Sequence, residues 1–76
     1  HDPAAALFGG VDGHEVVDRL IDGAAHWLAP GGALVVEIDD RRGLQACERA
    51  CAAGLEQVRV ARDLAGRDRV LLARAP

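Results

Sequence analysis

The stretch Trp27-Leu28-Ala29-Pro30-Gly31-Gly32-Ala33-Leu34-Val35-Val36-Glu37-Ile38 constrains the fold most, because a helical pattern runs into Pro-Gly-Gly and emerges as an apolar strand. Proline and paired glycines stop a helix and turn the chain. From Ala33 to Ile38 the residues are nearly all apolar and largely β-branched, the pattern of a strand covered on both faces in a parallel sheet. A helix that feeds directly into a central strand marks an α/β protein.

The elements on either side fit that class. Asp12 stands at an N-cap position with Glu15 three residues later, so a helix is predicted to start there. Val16, Val17, Leu20, Ile21, Ala24, Ala25 and Leu28 then recur on one face, while Asp18, Arg19 and Asp22 point elsewhere. After the polar turn Asp39-Asp40-Arg41-Arg42-Gly43, a second helix carries Leu44, Cys47, Ala50, Cys51 and Leu55 at helical spacing and stops at Gly54. Val58 and Val60 alternate with polar neighbours, and Arg69–Arg74 reads as another strand, which together predict a closing antiparallel hairpin. The expected order is a lead-in segment, helix, strand, helix, strand, strand, in one continuous piece.

At 76 residues the chain is at most one domain. Half of it is apolar, but Phe8 and Trp27 are the only aromatics, so any core is built from Ala, Val, Leu and Ile. That is the composition of one slice of a larger sheet. A net charge of -3 gives no global argument for nucleic acid or membrane binding, and no apolar run is long enough to span a bilayer. A cytoplasmic protein is the expectation. Cys47 and Cys51 are one helical turn apart and poorly directed for pairing; no further Cys or His pair completes a metal site, so they read as free thiols packed as small core residues. Ser and Thr are absent, and no nucleophile-base-acid set emerges from Asp, Glu, His and Cys.

Several strings carry a family resemblance. Leu28-Ala29-Pro30-Gly31-Gly32 resembles the turn into the fifth strand of S-adenosylmethionine-dependent methyltransferases. More specific are Asp2-Pro3 followed by Ala6-Leu7-Phe8-Gly9-Gly10-Val11-Asp12-Gly13, and Asp63-Leu64-Ala65-Gly66-Arg67-Asp68-Arg69-Val70. In this order, and with Glu37-Ile38 between them, they resemble the carboxyl end of the release factor glutamine methyltransferases. Two positions depart from that pattern: Asp39 and Arg42 stand where the family often has Gly and Gln.

The resemblance implies a Rossmann-like class I fold, with residues 1–76 as the C-terminal part of the catalytic domain and the cofactor-binding half upstream. It implies methyl transfer from S-adenosylmethionine to a glutamine side chain of peptide chain release factors. The family's catalytic Asn-Pro-Pro-Tyr is not in this sequence, nor is a glycine-rich strand-to-helix loop for the cofactor, so these residues alone are expected neither to bind the donor nor to turn over. No catalytic, cofactor or metal residue is assigned. The substrate-side candidates are Asp2 and Pro3, which also suit an ordinary turn, and Glu37, either a cleft residue at the carboxyl end of the sheet or a strand-end residue reaching solvent or an Arg. The interleaved Arg and Asp residues of the hairpin read as a solvated face more than a nucleic-acid surface. Two other functions remain open: a non-catalytic α/β module that binds protein, or methylation of another amide or amine. With a neighbour missing, the central strand is expected to expose an edge that invites self-association.

Overall fold

The computed structural model describes residues 5–9 and 13–76. Its elements are β1 (Ala5–Phe8), α1 (His14–Trp27), β2 (Ala33–Glu37), α2 (Gly43–Ala52), β3 (Glu56–Arg62) and β4 (Asp68–Arg74), with a short 3-10 turn at Asp40–Arg42. The strands form one sheet in the order β1-β2-β4-β3. β1 runs parallel to β2, and β4 lies antiparallel to both β2 and β3. The predicted helix-strand-helix-hairpin order is present, and the lead-in segment adds the unpredicted β1. Because β1 pairs along one side of β2 and β4 along the other, the central strand does not expose the edge expected of it. The sheet instead ends in β1 and β3.

Local chemistry fixes the boundaries. Pro30 and Gly31 (φ 78°) form the middle of a turn closed by the Gly32 N–H donating to the Ala29 carbonyl at 2.8 Å. That turn is tied to the chain end. Gly31 N–H donates to Ala75 O at 3.1 Å, Ala75 N–H to Gly32 O at 2.8 Å, and Arg74 Nη1 to Gly31 O at 2.8 Å. At the end of α2, Gly54 (φ 86°) donates to Cys51 O and Leu55 to Ala50 O, both at 3.1 Å, the paired bonds of a Schellman motif. The start of α1 differs from the reading of the sequence: Gly13 is its N-cap, with no side-chain hydrogen bond, and Asp12 lies outside the described residues.

Both helices pack on one face of the sheet. Val17, Ile21 and Ala24 of α1 and Ala46 and Ala50 of α2 meet Leu34, Val36, Leu71 and Ala73 in a single core. Ile21, Leu34, Val36 and Leu71 are fully buried, each worth about 1.5–3 kcal/mol relative to exposure. The opposite face carries Leu7, Val35, Leu72 and Val70, which are exposed or half-buried. Double coverage of β2 is therefore not provided by the described residues. The apolar stripe predicted for α2 holds at Cys47, Ala50 and Leu55, which pack in or against the core, and fails at its other two positions. Leu44 is 71% exposed and Cys51 is exposed, while Gly43, Ala46 and Ala50 face inward because a close approach to the sheet admits only small residues. Of the thiols only Cys47 packs against the core, and burial pushes its pKa up. Val16 of α1 also turns outward.

Candidate functional site

A cavity of about 400 Å³ opens where the carboxyl end of β2 meets the amino end of α1. Gly13, His14, Val17 and Asp18 line it from α1, Glu37 to Asp39 and Arg42 from the end of β2 and the segment after it, Ala46 from α2 and Arg69 from β4. The position follows from topology: the carboxyl ends of sheet strands, where connections diverge, leave a crevice that loops cannot fill. Its size is that of small-ligand sites.

Glu37 lines this wall and is exposed to solvent, a position that accords with either of its two sequence readings. Its Oε1 lies 3.1 Å from where a Cβ on Gly9 would project, so any side chain at position 9 crowds the carboxylate. Asp2 and Pro3 lie outside the described residues. His14, Asp18 and Arg69 were not singled out as cleft residues by the sequence. The available signal was positional: His14 and Asp18 open a helix, and Arg69 opens a strand antiparallel to β2.

The wall charges are mostly spoken for. Asp39 accepts the Arg41 backbone N–H at 2.9 Å and the Arg41 Nε and Nη2 at 3.1 and 3.0 Å. These bonds hold its carboxyl well below the usual carboxylate range. Asp18 pairs with Arg49 at 3.5 Å, and the same guanidinium donates to Asp22 at 2.8 and 2.7 Å, bridging the two helices. Arg69 Nη2 lies 3.3 Å from Asp63, which also accepts the Ala65 and Arg67 backbone N–H groups at the hairpin turn. Those backbone donors, with Arg67 and Arg69, lower the Asp63 pKa. Arg62 pairs with Asp68 at 3.0 Å, so acidic neighbours engage much of the hairpin's positive charge.

The amino end of α2 is the natural place to look for an anion or cofactor cradle. It is filled: the Asp68 carboxylate packs so closely on Gly43 that a Cβ there would overlap it. The connection from β2 into α2 presents Asp39, Asp40, Arg41 and Arg42, not a glycine-rich loop. The described residues therefore do not by themselves fit S-adenosylmethionine. They form a charged wall of the cavity. No group of three or more His, Cys, Asp or Glu among them is disposed to hold a metal ion, and no helix among them is long and apolar enough to cross a membrane.

No family model and no solved structure matches the chain. Curated relatives do. Release factor glutamine methyltransferase of Thermosynechococcus vestitus is 38% identical over 77 residues, covering 100% of this chain and 26% of the relative. Proteins of the same name from Mycobacterium tuberculosis and Deinococcus radiodurans are 40% and 43% identical, covering 96% and 97% of this chain and 24% and 26% of their own lengths. The chain thus spans about a quarter of the relatives it matches. With 38–43% identity in alignments that cover 96–100% of the chain, and in an α/β fold with the Pro-Gly-Gly turn and closing hairpin in order, the chain belongs to the release factor glutamine methyltransferase family.

Proposed function

We propose that residues 1–76 act as the carboxyl-terminal part of a methyltransferase catalytic domain, and that the protein transfers a methyl group from S-adenosylmethionine to a glutamine side chain of peptide chain release factors. The observation that carries this is similarity along 96–100% of this chain to proteins bearing that name. An amide nitrogen is a poor nucleophile, so the reaction depends on holding it in line with the methyl group. The cleft suits a supporting part in that alignment, with Glu37 and its neighbours forming the substrate-side wall and Asp2 and Pro3 proposed to join it. When bound, S-adenosylmethionine supplies the electrophilic methyl. Its holding residues and the Asn-Pro-Pro-Tyr acceptors belong to sequence other than residues 1–76, which taken alone are proposed to be inactive.

The test uses methyl-labelled S-adenosylmethionine, a bacterial release factor, and two proteins: the 76-residue chain alone, and the chain replacing the matching quarter of the Mycobacterium tuberculosis relative. Label on a release-factor glutamine is expected with the joined protein only. A joined protein that folds, binds the donor and leaves the release factor unlabelled would refute the activity. Labelling by the chain alone would refute the division of labour.

A further inference from the structure

Among the cleft's guanidinium groups, Arg69 is held by Asp63, but Arg42 has no ion-pair or side-chain hydrogen-bond partner among the described residues. It is also half-buried. Arg19 and Arg59, likewise without such a partner among them, are exposed to water. A guanidinium stays protonated at any physiological pH, and its partial burial is unfavourable unless an acceptor replaces lost water. The carboxylates that line the same cavity are already committed: Asp39 is locked by Arg41 on both oxygens, Asp18 pairs with Arg49, and Glu37 has an interaction of its own. Asp40, also in the turn, lies outside the lining of the cavity. The backbone fixes Arg42 in place, since its N–H donates to the Asp39 carbonyl at 2.9 Å and it caps α2.

We propose that Arg42 is the anchor for a carboxylate ligand in the cleft at the carboxyl end of β2, and that this carboxylate is an acidic side chain of the acceptor protein near the methylated glutamine. The planar fork of Arg binds a carboxylate through two parallel hydrogen bonds, which fixes direction as well as charge. A fixed positive charge in that geometry favours an acidic neighbour over a neutral one. The acceptor's identity rests on the methyltransferase reading; the carboxylate site does not.

Binding is measured on the full chain by following the Arg side-chain Nε–H signals in nuclear magnetic resonance. The probes are a short blocked peptide containing Glu, the same peptide with Gln, and free methionine, whose α-carboxylate stands for the amino-acid end of the methyl donor. Saturable shifts at Arg42, absent at Arg19 and Arg59 and seen with the Glu peptide only, are the expected result. Arg42→Gln should weaken binding at least about tenfold while leaving the melting temperature unchanged, and Arg42→Lys should restore part of it. Equal shifts at all three Arg residues, or none at Arg42, would overturn the site. A response to methionine with none to the Glu peptide would overturn the acceptor assignment. These outcomes are independent of label transfer, so failure here is distinguishable from failure of the proposed activity.

Discussion

Leu71 and Leu72 are adjacent in β4 and face opposite sides of the sheet, which makes them a direct test of where the core lies. Leu71 is fully buried beneath the helices and pairs with Val36 and Val60. Leu72 is half-buried on the other face, between Val35 and Arg59. Truncation of a buried Leu to Ala costs about 2–5 kcal/mol, the upper values where neighbours cannot collapse into the cavity. At position 71 the sheet fixes both flanking strands, so about 3 kcal/mol is expected. A domain of this size has roughly 4–11 kcal/mol in total. Leu71→Ala should therefore lower the melting temperature by about 12–24 °C, and Leu72→Ala, which removes surface already partly wet and leaves no sealed cavity, should cost about 1 kcal/mol.

Urea titrations of both variants, read by circular dichroism, check the difference between them at constant slope. Costs that agree within about 0.5 kcal/mol would refute the one-sided core. Repeating the Leu72→Ala titration over a range of protein concentrations would then show whether a second copy covers that face, because only association makes the midpoint concentration-dependent.

Gly43→Ala should destabilise by about 1–3 kcal/mol, although Ala normally gains about 1 kcal/mol over Gly in a helix, because the new methyl meets the Asp68 carboxylate. Thermal melts of Gly43→Ala, Asp68→Ala and the double variant check this, and additive costs would remove the steric explanation. Gln57 sits at φ 52° beside a register shift in β3; Gln57→Gly should be neutral or stabilising by up to ~1 kcal/mol and Gln57→Val destabilising, with the reverse order in chemical denaturation refuting the strain. Asp22, Asp39 and Asp63 have folded pKa values lowered by Arg or backbone donors. Their stabilisation is present above the unfolded Asp value of about 3.9 and fades as pH falls below it toward the lowered values. Melting temperature should thus drop below about pH 4, more shallowly in a triple Asn variant and at high salt, and an unchanged acid profile in that variant would refute the assignment.

Turn chemistry was the most legible part of this sequence. Pro30, Gly31 and Gly54 are local devices whose geometry depends on few neighbours, and all three act where the sequence placed them. The hairpin was legible for the same reason, with Asp63 and Gly66 closing its turn. Helix α2 was legible as a helix but only partly in its facing: Cys47, Ala50 and Leu55 turn inward as read, Leu44 and Cys51 do not. Leu44 and Cys51 outweigh Gly43 and Ala46 on any hydropathy count, yet the structure buries the smaller pair because distance to the sheet, not apolarity, decides which side fits. No local pattern encodes that distance.

β1 and the cleft fall on the same boundary between local and tertiary information. Ala5–Phe8 has little strand propensity of its own and is ordered by pairing with β2 and by Phe8 packing edge-on to Trp27 at 5.9 Å. That pairing also brings Gly9 against Glu37, so the residue most suspected from sequence acquires its surroundings from a strand the sequence did not announce. Arg42 shows the converse. It was visible as a departure from the family pattern, but its meaning depends on Arg41 having taken Asp39, a choice between adjacent arginines that only the 3-10 turn makes. Had Arg42 taken Asp39 instead, the cleft would hold a neutral pair and nothing to select a carboxylate. The function of this wall therefore turns on one backbone conformation, and Asp39→Asn, which releases Arg41, should weaken carboxylate binding at Arg42 only if the turn itself is lost. Circular dichroism of that variant beside its peptide titration checks this, and weakened binding with the turn intact would refute it.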